Sequence, residues 1–310
     1  MRVHQKDTRS VPAVAERSEC AANRRSLQPY RGHPAMTATA TDTGLELSAA
    51  AAAVKASLRG IANFTVGLGV LFALWWMGAY LLSINPQTAS FATFGPIPTF
   101  QAFPVLWENG KIQSAVMASG YRLGVGLAIA IIIGVPIGIL VGRSKRFREL
   151  SNSPFQFLRM ISPLSWTPVA LFVFATWNQS IIFLIAVASV WPVIYATSAG
   201  LAKVDPAWFK VARNLGASPI QMLTRIIMPA ITFDVLTGVR LALGVAWVVI
   251  IPAEFLGVTT GLGYTIQDAR ETLSYNNLTA MVLTIGVMGY VLDSICVLLI
   301  KRYSWQRGAV

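Results

Sequence analysis

LAKVDPAWFKVARNLGASPIQMLTRIIMP, residues 201–229, is a polar interruption in a chain that is otherwise largely apolar. Asp205 followed by Pro206 has the form of an N-cap with proline in the first helical position, and Ser218 with Pro219 repeats the device. Gly216 stands where the first helix should stop, because a glycine just past a helix end takes positive φ without steric cost. Pro229 is expected to end the second helix. Trp208, Val211, Ala212 and Leu215 share one face of the first, against Lys210, Arg213 and Asn214. Ile220, Leu223, Ile226 and Ile227 line one side of the second, against Gln221, Thr224 and Arg225. The pattern predicts two short amphipathic helices joined by a glycine elbow. At about ten residues each, they fall short of the roughly 20 needed to cross a bilayer.

The sequence around this stretch is that of a membrane protein. Mean hydropathy is +0.58, and 12% of residues are charged, against about a quarter in soluble domains. The net charge of +12 does not point to nucleic acid, because the basic residues form short clusters between long apolar runs, as in membrane-protein loops. Those runs span about 61–83, 113–141, 154–177, 180–199, 232–251 and 278–300. Trp75, Trp76 and Tyr80 suit an interface at the far end of the first, and a loop with Pro86, Pro96, Pro98 and Pro104 follows it. Loop 142–150, the 201–229 stretch and Lys301, Arg302 and Arg307 carry the positive charge. Six crossings put them all on one side, the cytoplasm by the positive-inside tendency, with both termini inside. The expected fold is an all-α membrane protein of six transmembrane helices over residues 59–302, with 201–229 as a cytoplasmic loop and 303–310 as a cytoplasmic tail.

Residues 1–58 read as a disordered or surface-associated tail. Residues 1–35 have no apolar period, and 37–57 suit a helix at the membrane surface. An arginine-rich leader resembling a transit peptide is weakened by Asp7, Glu16 and Glu19, and translation starting at Met36 is the simpler reading. Within the second run, Gly134, Gly138 and Gly142 recur every fourth residue, as do Gly120 and Gly124, a spacing that lets another helix come close. Pro136 should bend that helix.

Four ionisable residues lie inside the apolar runs: Arg122, Asp234, Arg240 and Asp293. Each costs at least ~2.5 kcal/mol at membrane depth. Arg240 lies too far from either end to snorkel, so it either pairs internally or faces a water-filled path. Arg240, Trp247 and Glu254 are the candidate pathway residues. Catalysis has no support. The two histidines, His4 and His33, are in the tail, and Cys20 and Cys296 are not a plausible pair. No metal site is expected. The stretch Gly138–Ser144, GILVGRS, departs from a phosphate loop in spacing and in its lysine. The chain is therefore expected to hold no nucleotide or other cofactor of its own.

Two stretches together resemble the permease subunits of bacterial ABC importers. The 201–229 loop is similar to the "EAA" loop of type I importers, which runs acid-Ala-Ala, then a glycine, then Ile-x-Leu-Pro. Ala212, Gly216, Ile226 and Pro229 match, whereas Lys210 stands at the acid, Val211 at the first alanine and Met228 at the leucine. Residues 238–247, GVRLALGVAW, with Ala253-Glu254 and Gly261-Leu262-Gly263-Tyr264, resemble the nitrate, sulfonate, taurine and bicarbonate branch. The resemblance covers roughly residues 60–302 and implies the type I importer permease fold. It also implies a pore of two permeases, taken as a homodimer in the bacterial inner membrane, and a separate cytoplasmic ATPase docked on the loop. A periplasmic or lipid-anchored binding protein would deliver a small anion, moved by alternating access. With Lys210 in place of the acid, the elbow is expected to dock, through Lys210, Ala212, Leu215, Gly216, Ala217, Ser218, Pro219, Ile226 and Pro229. An ATPase-independent secondary transporter or channel is the alternative, but no inverted repeat is visible. A membrane-embedded enzyme lacks the clustered ligands it would need.

Overall fold

The computed structural model describes residues 42–303, and the expectations for 1–41 and 304–310 lie outside them. The chain divides into two units, Met1–Val66 and Gly67–Val310. Among the described residues the structure is helical throughout, without strands. The helices are α1 (Asp42–Ile84), α2 (Pro96–Glu108), α3 (Lys111–Arg143), α4 (Lys145–Met160), α5 (Thr167–Val173), α6 (Trp177–Ala202), α7 (Pro206–Asn214), α8 (Pro219–Met222), α9 (Met228–Glu254), α10 (Leu262–Glu271) and α11 (Tyr275–Tyr303). Short 3₁₀ turns occupy Ala89–Phe94 and Pro163–Trp166, and a π turn occupies Leu223–Ile227. The boundary expected at residue 58 falls inside α1, and the proline-rich loop contains α2, with Pro96 at the helix start.

Among the described residues, five helices are long and apolar enough to cross a bilayer: Ala62–Ile84, Lys111–Arg143, Trp177–Ala202, Pro219–Glu254 and Tyr275–Tyr303. The third expected span, 154–177, is not one helix. Pro163 and Pro168 divide it into the end of α4, the 3₁₀ turn and α5. Each proline removes a backbone donor, so a continuous ladder cannot form there.

The packing of α3 on α6 shows that this broken segment still runs the length of the bundle. Gly126, Gly134, Gly138 and Gly142 face Ile185, Val193, Thr197 and Leu201, at the same sequence offset each time. The two helices therefore run parallel, and the chain between Arg143 and Trp177 must return from one end of the bundle to the other. Phe155 packs on Trp191 with ring centroids 5.6 Å apart. Nearer the start of α6, Ser180 donates to the Ala170 carbonyl at 3.2 Å, and Thr176 caps the helix, accepting from the Gln179 N–H.

The glycine stripe thus makes the close approach its spacing predicted, with Gly126 added. Gly120 and Gly124 have no atoms within 4 Å of an added Cβ and play no part in it. Pro136 leaves α3 unbroken. A Cβ on Gly138 would lie 2.6 Å from Thr197 Cβ and 2.8 Å from the Ile194 carbonyl. Gly138→Val is expected to force α3 off α6 at a cost of about 1–3 kcal/mol or more. A lower melting temperature and a broadened size-exclusion peak in detergent would report it, and an unchanged melt would refute it.

Helix α9 runs antiparallel to both α6 and α11. Gly238 packs on Ala196, Asp234 on Gly200, Arg240 pairs with Asp293, and Trp247 sits over Gly289. The C-terminal ends of α3, α6 and α11 and the beginning of α9 therefore share one end of the bundle, which carries Arg143, Lys203, Lys301 and Arg302. The sequence expectation that these clusters share a side rests on counting six crossings, and the helix directions supply an independent reason for it.

Candidate functional site

The elbow is built from its caps. Asp205 accepts from the Ala207 N–H at 2.8 Å, opening α7. At its end Gly216 takes φ +75°, the Gly216 N–H donates to the Arg213 carbonyl and the Ala217 N–H to the Ala212 carbonyl, both at 3.0 Å. This is a Schellman stop, and Ala217 packs against the apolar cluster that contains Ala212. Open space surrounds Gly216, so the backbone angle, not crowding, requires glycine there. Ser218 and Gln221 then form a reciprocal capping box, which the Ser-Pro-Ile-Gln order could have revealed.

The underside of the elbow is anchored. Ala212 and Met222 are buried with Leu201, Ile227 and Ile231, and Phe209, Ala217 and Ile226 pack against them. The apolar faces expected for the two helices are thereby split. Trp208, Val211, Leu215 and Ile220 are exposed, Leu215 at 81%. Pro229 does not end the second helix. α8 continues through the π turn into α9, so that 219–254 form one element. Met228 N–H donates to the Leu223 carbonyl, a widened turn that precedes Pro229, which has no N–H to give.

Three ionic contacts then mark the length of α9. At the basic end Lys203 pairs with Asp234 at 2.6 Å, and a Cβ on Gly200 would meet Asp234 Cβ at 2.6 Å. Midway, Arg240 holds Asp293 through both guanidinium nitrogens of one edge, Nε to Oδ1 at 2.6 Å and Nη2 to Oδ2 at 2.8 Å. Both side chains are nearly half exposed, at 44% and 48%. At the far end Glu254 is wholly buried. Its carboxylate accepts from Arg122 Nη1, from the Ser119 hydroxyl at 2.8 and 2.9 Å and from the Gly263 N–H at 2.8 Å. Arg122 also donates to Asn178 and to the carbonyl and hydroxyl of Thr260. Gly261 has φ +125°, and a Cβ there would sit 2.5 Å from the carboxylate.

Two expectations change accordingly. Glu254, grouped with Arg240 and Trp247 as a pathway residue, borders no open space. It is a buried clasp between α3, α9 and the loop before α10. Arg122 is the residue that sequence reasoning left without a partner, because Glu254 lies far from it in the chain. Trp247 is partly buried between two clusters of the core.

The family described as binding-protein-dependent transport system inner membrane component matches residues 134–305. That segment contains the elbow, α9 and α11. The bicarbonate transport system permease protein of Synechococcus elongatus is 36% identical over 239 residues, covering 73% of this chain and 86% of its own length. This chain is a member of that permease family. The nitrate import permease protein of Synechocystis is 33% identical over 201 residues, 62% of this chain and 73% of that one. The putative aliphatic sulfonates transport permease protein of Bacillus subtilis is 34% identical over 214 residues, 69% and 78% respectively. The type I importer permease fold and the branch implied by residues 238–264 are those of these relatives.

Within this permease the departure at Lys210 is a surface feature. Lys210 is exposed on α7 and has no ion-pair partner among the described residues. The elbow's internal geometry therefore does not depend on an acid at that position. Ala212, Ala217 and Ile226 hold the elbow to the bundle, while Leu215, Ser218 and Pro219 face outward.

Proposed function

We propose that this chain is the membrane-spanning permease subunit of an ATP-driven importer that carries a small oxyanion of the nitrate, bicarbonate or sulfonate type. The observation that carries the reading is the elbow. Exposed Trp208, Val211, Leu215 and Ile220 form an apolar surface of the kind that marks a protein contact, on a loop between membrane spans. That surface is continuous with the 36 residues of Pro219–Glu254. A partner seated on it moves α9, and the contacts of α9 with α6 and α11 pass the motion on as a rigid-body shift. The basic end of the bundle faces the cytoplasm, by the positive-inside tendency. The docked partner is a separate ABC ATPase chain, since this sequence has no phosphate-binding motif, and hydrolysis occurs there rather than here. A binding protein delivers the anion at the opposite end. A second copy of the permease completes the pore, with Arg240 and Trp247 along the route. Substrate class follows the relatives and is supported by Arg240.

The test is uptake in vesicles containing the permease, its ATPase and its binding protein, with labelled nitrate, bicarbonate and taurine as probes. Uptake of at least one is expected to require ATP and to vanish with a hydrolysis-dead ATPase. Uptake that persists without hydrolysis would refute the importer and favour a secondary transporter or channel.

A further inference from the structure

An ion pair at membrane depth has three possible neighbours, and the geometry of Arg240 and Asp293 selects among them. Both lie well inside apolar helices, midway along α9 and within α11. A pair sealed in the core would be buried, as Arg122 and Glu254 are. This one is nearly half exposed on both sides. Facing lipid, two half-exposed charges would each incur much of the insertion cost, ~2.5 kcal/mol or more. The remaining neighbour is water, in the route that the second copy of the permease completes. The same face of α9 is open one turn on, where an added Cβ at Gly244 meets nothing within 4 Å, and Val248 beyond it is exposed.

The guanidinium is only partly used. Asp293 occupies the edge formed by Nε and Nη2, while Nη1 has no hydrogen-bond partner among the described residues. Nitrate, bicarbonate and a sulfonate head each present paired oxygens, as a carboxylate does, and suit the same planar fork. A bare arginine in a low-dielectric path would hold such an anion too tightly to release it. Passage requires binding strong enough to draw the ion in and weak enough to let it go.

We propose that Arg240 and Asp293 form a low-affinity oxyanion way-station, in which Arg240 attracts the passing anion through Nη1 and the Asp293 carboxylate limits how tightly it is held. The proposal rests on the importer reading and adds to it the residue that sets the strength of the site. Asp293 thus matters through its charge, beyond any part in holding α11 to α9.

The experiment uses the assembled permease and ATPase in nanodiscs for binding and in vesicles with the binding protein for uptake, with sodium nitrate, sodium bicarbonate and taurine as probes. Asp293→Asn keeps the shape and removes the charge. It is expected to tighten binding of the transported probe at least about tenfold, as loss of one like charge at this range implies, and to slow uptake at saturating binding protein. Arg240→Gln is expected to abolish detectable binding. The exchange Arg240→Asp with Asp293→Arg restores a pair between the helices and is expected to restore thermal stability without restoring wild-type uptake. Unchanged probe binding in Asp293→Asn, or full uptake in the exchanged pair, would overturn the way-station while uptake in the unaltered assembly still depended on ATP. Loss of that dependence in the unaltered assembly would instead remove the importer reading, and this proposal with it.

Discussion

Replacing Gly216 with proline is expected to abolish ATP-driven uptake while the spans remain inserted. Proline fixes φ near −65°, and Gly216 holds +75°. The ring also removes the N–H that donates to Arg213 and pushes the preceding residue toward extended backbone, away from the ψ of 7° that Leu215 holds. Together these cost about 3 kcal/mol or more, enough to undo the turn. The damage is expected to stay local, because Ala212 and Met222 belong to the cluster at the basic end, which reaches the packing of α3 on α6 through Leu201 and Ile139 at the last turns of those helices. ATP hydrolysis by the assembled complex should therefore continue or rise while uptake falls to background. Gly216→Ala carries only the left-handed penalty, about 1–2 kcal/mol, and should keep measurable uptake. Normal uptake in the proline variant would refute the elbow as the coupling surface.

Arg122→Met is the largest expected loss of stability. It leaves Glu254 wholly buried without its cation, and breaking one partner of a buried pair costs about 3–5 kcal/mol. Ser119 and Gly263 would still donate to the carboxylate, so the fold is weakened rather than erased. The loop at Thr260 would lose both of its bonds to Arg122 and should become sensitive to protease. Adding Glu254→Gln removes the stranded charge, and the double variant should recover part of the melting temperature lost by the single one. A double variant that melts below both singles would argue against the pair as the dominant interaction.

The elbow was readable because its signals are local. Asp205-Pro206, Gly216 and Ser218-Pro219 act within a few residues, so caps and turn follow from order alone. The membrane character follows from composition, and the glycine stripe of α3 from its period. The limits appear where local rules meet distant partners. Pro229 reads as a stop, yet the π turn before it carries the helix onward into α9. Leu273 ends the turn after α10 at φ +53° without the glycine that would announce it. The third crossing reads as one apolar run, and only the parallel course of α3 and α6 shows that its two broken pieces still make the return.

Charge gives the sharpest division. From the sequence alone, Arg122, Asp234, Arg240 and Asp293 are four expensive residues inside apolar runs, with Glu254 just beyond one of them, and hydropathy establishes that a charge at that depth needs a partner or water. Only the tertiary structure decides which. It brings Arg122 and Glu254 together in the dry core and leaves Arg240 and Asp293 paired but open. The physical reason is that pairing and burial depend on contacts between residues far apart in the chain, set by helix direction and by the close approach that Gly126, Gly134, Gly138 and Gly142 allow. Insertion into a membrane is decided span by span, from each segment's own hydropathy. Whether a charge inside a span is sealed or wet is decided by its neighbours.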